Sequence, residues 1–188
     1  MRYLNYFLLA AVLGALQGCF PVVATGVGTG ALMAADRRTT GIYIEDESIE
    51  DKAVSLINVK YKNNAHVNVT SFNRHVLITG EVASDAAKTD IAQIVAGVSN
   101  VKAVSNELAV SGLTGITSRS SDSIVTGDVK LRFLNSKAFR ADHVKVITEN
   151  GVVFLMGLVY RKEAEAATEI ASTTSGVRKV VKVFEYLD

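Results

Sequence analysis

The sequence predicts an α+β fold made of two tandem copies of one α-β-β-α-β unit, each a three-stranded mixed sheet covered by two helices. Three observations predict it. His66, Val67, Val69, Val76, Gly80 and Val82 recur as His143, Val144, Val146, Val153, Gly157 and Val159 at a constant offset of 77 residues. Self-similarity at a fixed offset is the mark of a duplicated supersecondary unit. Each copy also contains two apolar, alternating stretches around a short polar turn, which read as a hairpin. Finally, apolar positions flank both hairpins in the same order. Ile49, Val54 and Leu56 match Ile124, Val129 and Leu131 at an offset of 75, and Ile94, Val101 and Val104 match Ile170, Val177 and Val180 at 76. The offset changes only between elements, where insertions are tolerated.

Taken in order, each copy opens with a helix, expected over 47–59 and 122–135, with Ile124 and Leu131 on its core side. The acidic run Glu45, Asp46, Glu47, Glu50 and Asp51 suits a helix N-terminus, where the dipole favours negative charge. A strand follows, over 66–71 and 143–148, then a turn at Asn73-Arg74 and at Glu149-Asn150-Gly151. Asn-Gly is a strong hairpin signal because both residues tolerate positive φ. The return strand is expected over 75–82 and 152–159. A second helix begins near Ser84, whose side chain can accept from free N–H groups, and near Arg161, where the run 164–171 is Ala-rich and has high helix propensity. A last strand covers 101–110 and 177–186. A three-stranded sheet with one apolar face needs a cover, and two helices supply it.

Composition narrows the function classes. The formal charge of the whole chain is +1 over 188 residues, and without Arg2 acidic and basic side chains balance. A near-neutral chain has no overall field to gather nucleic acid, so no nucleic-acid partner is expected. His66, His75 and His143 lack acidic or Cys neighbours at metal-ligand spacing, so no metal site and no cofactor are expected. No Ser-His-Asp or Cys-His set can be assembled, so the chain does not read as an enzyme. Glu163, Glu165 and Glu169 read as a solvated helix face.

The N-terminus carries its own grammar. Arg2, then an almost wholly apolar run from Tyr3 to Leu16, then Leu16-Gln17-Gly18-Cys19, has the regions of a secretory signal. It resembles the lipobox of bacterial lipoproteins. The resemblance implies a signal peptide over 1–18, cleavage before Cys19, and acylation of Cys19. Two or more acyl chains anchor stably where one does not. Phe20 stands where an aspartate would resemble an inner-membrane retention signal, so the resemblance points to the outer membrane, facing the periplasm. The Gly26, Gly28 and Gly30 run fits neither phosphate-binding pattern and reads as flexible tether. Asp36-Arg37-Arg38-Thr39-Thr40-Gly41 reads as solvated linker. The expected domains are 19–45 for the lipidated cysteine and tether, 46–110 for the first copy, 111–121 for a linker and 122–188 for the second copy.

The Val-x-Val strand, the hairpin, the strand endings Val76–Val82 and Val153–Val159, and the late Val101-x-x-Val104 and Val177-x-x-Val180 resemble a pair of BON domains. Lipobox and two BON domains together resemble the dual-BON outer-membrane lipoproteins. That resemblance implies a non-catalytic protein that binds anionic phospholipid such as phosphatidylglycerol at the inner leaflet of the outer membrane. It also implies support of outer-membrane integrity and gathering at division sites. The lipid site it implies is the first helix of the second copy: Ile124, Val125, Gly127, Asp128, Lys130, Leu131, Arg132 and Leu134. Ile124 stands where the family has a tryptophan, so only the apolar part of that amphipathic side chain is kept.

The residues support this from their own side. Over 122–140, Asp122 and Asp128 face Lys130, Arg132, Lys137 and Arg140, and Val125, Phe133 and Leu134 add apolar surface that copy one lacks. Apolar surface flanked by Lys and Arg suits an interfacial helix. The same side chains could instead pack on the other copy beside a solvated basic face. Tyr160-Arg161-Lys162 is a possible second basic lip. The competing function is a periplasmic protein-interaction module that assists the outer-membrane assembly machinery, with the strand 177–186 pairing by its edge.

Overall fold

The computed structural model describes residues 36–62, 64–111 and 116–188. The signal, Cys19 and the glycine tether lie outside the described residues. Helix α1 runs Thr40–Tyr61, followed by β1 (Ala65–Phe72), β2 (His75–Val82), α2 (Asp85–Ala96), β3 (Ala103–Asn106) and β4 (Ala109–Val110). The second copy contains α3 (Ile116–Leu134), a 3₁₀ turn (Ala141–His143), β5 (Val144–Glu149), β6 (Val152–Val159), α4 (Arg161–Ser172) and β7 (Lys179–Tyr186). Among the described residues no helix is long and apolar enough to cross a membrane.

Both sheets are mixed, as expected. β1 pairs antiparallel with β2, and β3 and β4 pair parallel with β2 on its other side. β5, β6 and β7 repeat that arrangement. Val76 pairs with Val104, and Val153 with Val180, so the repeated valines occupy equivalent rungs. The expected strand 101–110 is broken: Leu108 turns into the core at 1 % exposure, and its N–H bonds to Asn106 Oδ1 rather than to the ladder. Ser84 caps α2 by accepting from Ala87 N.

Both turns have positive φ at two successive residues, 53° and 66° at Asn73 and Arg74, 50° and 69° at Asn150 and Gly151. This is the geometry that matches strand twist in a two-residue hairpin. The glycine of the repeated motif has a steric reason. A Cβ on Gly80 would collide with the carbonyl oxygen of His66 on β1, and one on Gly157 with that of His143, just before β5. At Gly80 the backbone also has φ of 116°, which a side chain would strain.

Each copy has its own core. Ile49, Ala53, Ile57, Val76, Ile78, Val82, Ile91 and Val95 fill the first. Val125, Val129, Phe133, Phe139, Val153, Leu155, Val159 and three alanines of α4 fill the second. Phe133 and Phe139 meet edge to face at 5.0 Å between ring centres.

The structure corrects the expectation of one apolar face per sheet. β2 and β6 are buried on both sides. Their odd and even residues divide between two cores, and the second is the seam between the copies. Phe72 and Leu77 pack there with Phe154, Met156, Leu158 and Val183. The layers therefore run helices, sheet, sheet, helices. Strands covered on both faces read as continuous apolar runs, and Val152–Val159 is such a run.

Within the expected solvated linker 36–41, Asp36, Arg37 and Arg38 are held by packed partners, while Thr39, Thr40 and Gly41 are exposed. Arg38 is clamped by Asp36 and Asp46 at 2.7 and 2.9 Å, and its guanidinium lies 3.9 Å above the Phe72 ring centre. Arg37 crosses to the second copy, where it donates to the Leu158 carbonyl and to both oxygens of Glu163. Glu163 is thus paired, not solvated. Helix α1 starts at Thr40, capped by Thr39 Oγ1, and α3 starts at Ile116, inside the expected linker.

Candidate functional site

The position of α3 is set by Asp122. It is buried, and its two carboxylate oxygens accept from Asn150 N and Gly151 N at 2.8 and 2.7 Å. In α1 it is Asp46 that accepts from the N–H groups of its own turn, at Asn73 and Arg74. Asp46 and Asp122 are therefore equivalent, which corrects the helix offset from 75 to 76. Ile49, Ala53 and Ile57 then match Val125, Val129 and Phe133, and these form the two core stripes.

This one-residue slip changes which side of α3 each expected site residue occupies. A step of one residue turns a helix by about 100°. Ile124 and Leu131, expected in the core, are 66 and 58 % exposed. Val125, expected at the lipid surface, is buried in the core and cannot face lipid. Phe133 is buried beside Phe139, while Leu134 is 71 % exposed. Ile124, Gly127, Leu131 and Leu134, spaced three and four apart, form one outward stripe opposite Val125, Val129 and Phe133. Gly127 leaves that stripe open, since a Cβ there would meet nothing within 4 Å.

Charged residues flank the stripe. Asp128 and Lys130 are exposed. Arg132 is held: its guanidinium donates to the Ile170 carbonyl at 2.8 Å and to Thr174 and Thr173 hydroxyls at 2.7 and 3.0 Å. These bonds tie α3 to the C-terminal end of α4, where a cation meets the negative end of the dipole. Lys130 and Leu134, with Phe133, Ala141, Asp142 and Val144, border a shallow cavity of about 260 Å³.

The corrected alignment sharpens the contrast between the copies. Opposite Ile124, Gly127, Leu131 and Leu134, helix α1 carries Ser48, Asp51, Ser55 and Asn58. At three of these four positions the second copy has an exposed aliphatic side chain where the first has a polar one; exposed apolar residues of α1, among them Ile44, Leu56 and Val59, stand at other positions. Among the other expected features, Tyr160 is 48 % exposed and lies under Arg37, and Arg161 lies over Tyr186.

Linear spacing missed a cluster at the seam. His66, Glu81 and Glu149 bring ligand-type atoms within 4.8 Å of one another. Half of it was readable, because the two-residue turn pairs Phe72 with His75 and so His66 with Glu81. Glu149 comes from the other copy, and no local pattern announces it.

Comparison with known proteins agrees with the fold. Residues 45–112 and 121–188 each match the BON domain family. The chain is 42 % identical over 185 residues to the outer membrane lipoprotein DolP of Haemophilus influenzae, covering 96 % of both chains. It is 34 % identical to the 21 kDa hemolysin of Actinobacillus pleuropneumoniae, over 81 % of this chain and 79 % of the other. It is 26 % identical to the osmotically-inducible protein Y of Escherichia coli, over 83 % and 80 %. The chain belongs to the BON-domain family, with two copies of the domain, and sits among outer membrane lipoproteins of the DolP type.

Proposed function

We propose that this protein is a non-catalytic lipoprotein of the outer membrane that binds anionic phospholipid of the phosphatidylglycerol type along the outward stripe of α3, and that it supports outer-membrane integrity, including at division sites. The observation that carries this reading is the stripe itself. Ile124, Leu131 and Leu134 are each more than half exposed, while the equivalent positions of α1 are polar. Three exposed aliphatic side chains on one helix face, beside Lys130, match the two needs of an interfacial helix: apolar area and attraction to an anionic surface. Acylation of Cys19 belongs to the same proposal. An anchor raises the effective concentration of the helix at the bilayer, so its own contact can be weak and still decide where the protein sits.

The test is vesicle flotation of residues 35–188, which form one compact unit, with phosphatidylglycerol-containing and purely phosphatidylcholine vesicles. The expected result is binding to the anionic vesicles alone, lost in Leu131→Asp and Leu134→Asp and kept in Val59→Asp, which alters an exposed apolar residue of α1. Equal loss in all three, or no anionic preference, would sink the reading. The competing reading, a protein-interaction module, draws on β7, which ends its sheet. Crosslinking to one dominant envelope protein without vesicle binding would favour it.

A further inference from the structure

We propose that His66, Glu81 and Glu149 form a divalent transition-metal site that clamps the two BON domains together. His66 and Glu81 are cross-strand partners on β1 and β2. Their side chains rise from the sheet face that meets the second copy. Glu149, at the end of β5, reaches the same point from the other side of the seam. The histidine Nε2 lies 3.9 Å from Glu149 Oε1, and one ligand atom from each of the three residues falls within 4.8 Å of the others.

This is a built site rather than a surface patch of acids. Glu81 is fully buried, and the side chains of His66 and Glu149 are 22 and 11 % exposed. Both carboxylates are oriented by amides outside the set. Asn150 Nδ2 donates to Glu81 Oε1 at 2.8 Å, and Asn68 Nδ2 donates to Glu149 Oε2 at 2.8 Å. Outer donors of this kind orient ligating carboxylates, and in Glu149 they leave the other oxygen turned toward the cluster. In Glu149 that other oxygen is Oε1, the one that faces His66. Burial, with Glu81 and Asp122 nearby, raises the Glu149 pKa above its ordinary value. A cation placed between the carboxylates would offset the same cost.

The geometry suits zinc-like ions. Tetrahedral coordination with bonds of about 2.0–2.1 Å puts ligand atoms roughly 3.3 Å apart. The His66–Glu149 pair must close by about 0.6 Å and the widest pair by up to about 1.5 Å, which side-chain torsions supply. One imidazole and two carboxylates select first-row divalent metals over Mg²⁺, which prefers an all-oxygen octahedral shell. A cavity of about 380 Å³ lined by His66, Asn68, Asp122, Ser123 and Glu149 opens onto the cluster, giving entry and room for a water as fourth ligand. Because the ligands come from both copies, the metal resists separation of the domains as well as local unfolding.

The experiment uses the full chain in detergent micelles, stripped with a chelator and titrated calorimetrically with Zn²⁺, with Mg²⁺ as a second arm. One Zn²⁺ per chain is expected, with a rise of several degrees in Tm and no response to Mg²⁺. His66→Ala and Glu149→Gln should each weaken Zn²⁺ binding at least about 10-fold and abolish the Tm rise. His75→Ala, at a histidine outside the cluster, should change neither. Glu149→Gln keeps an acceptor for Asn68, so it separates metal loss from misfolding, and circular dichroism confirms the fold of each variant. No saturable Zn²⁺ binding, or binding unchanged in both cluster variants, overturns the proposal.

Discussion

Asp46 and Asp122 are the same residue in two copies: each is a buried helical carboxylate that accepts the two successive N–H groups of its own hairpin turn at 2.7–2.8 Å. Positive φ at both turn residues aims those N–H groups to one side and makes a small anion nest. The pair locks the helix register against the hairpin. Removing one partner strands buried donors at about 1–3 kcal/mol each. Asp122→Ala should therefore cost about 3 kcal/mol in urea unfolding. Asp46→Ala should cost more, because Asp46 also accepts from Ser71 Oγ and Arg38. A loss below about 0.5 kcal/mol, the range of ordinary surface changes, would contradict the nest.

Arg37 and Glu163 give a pH-dependent contact between the start of the described chain and the second domain. The hydrogen bond from Arg37 holds the Glu163 carboxyl below its ordinary 4.5, against the opposing pull of burial. A depressed folded pKa means stability that is present above 4.5 and is lost as pH falls through the folded value. Glu163→Gln should therefore cost about 1 kcal/mol at pH 7, and the gap to wild type should narrow as pH falls below 4.5 and close below the folded value. Thermal melts across that range check it. A gap that persists at low pH would mean that packing, not charge, is what Glu163 supplies.

How much of this was legible in the sequence follows from what each pattern can encode. The hairpins were, because alternation and turn residues such as Asn150-Gly151 are local signals with a fixed register; the break at Leu108 in the last strand of the first copy was not. Helix faces were not. Val54 and Leu56 look apolar enough to be core, yet they are 37 and 50 % exposed, and the core uses the smaller Ala53. Apolarity alone cannot separate neighbours that point 100° apart. The buried acids Asp46 and Asp122 carried the true register, but their partners are backbone groups more than 20 residues away. The seam was half visible in the unbroken apolar run of β6. Its counterpart in β2, where Thr79 and Glu81 are buried polar residues, hid the other half. The clasp made by Arg37 and Arg38 left no trace at all, because charged residues before a helix resemble a solvated linker.

The seam should make the two domains unfold together. Phe154 is 4 % exposed in the shared cluster and points away from its own domain's helices. Phe154→Ala leaves a cavity in that cluster and should cost about 3–5 kcal/mol. Because the lost contacts belong to neither domain core, the loss should fall on coupling. Calorimetry should show one unfolding transition in wild type and two in the variant. A single sharp transition at lower temperature would mean that the domains remain coupled through the polar contacts at the rim, such as Lys145 with Glu50.

Lys130 and Arg132 should separate binding from stability. Both flank the outward stripe, but Arg132 is committed to three acceptors at the end of α4, while Lys130 is exposed. Each basic residue near an anionic leaflet contributes about 1 kcal/mol, so reversing one changes the balance by about 2 kcal/mol, or roughly 30-fold in affinity. Lys130→Glu should produce that loss on phosphatidylglycerol vesicles with Tm unchanged. Its effect should shrink in 1 M salt, where screening shortens the reach of charge to about 3 Å. Arg132→Glu should instead lower Tm, since it removes the bonds to Ile170, Thr173 and Thr174 and sets a negative charge at a helix C-terminus. If Lys130→Glu lowers Tm as much as Arg132→Glu and leaves vesicle affinity intact, the basic flank of α3 serves the fold and the lipid surface must lie elsewhere.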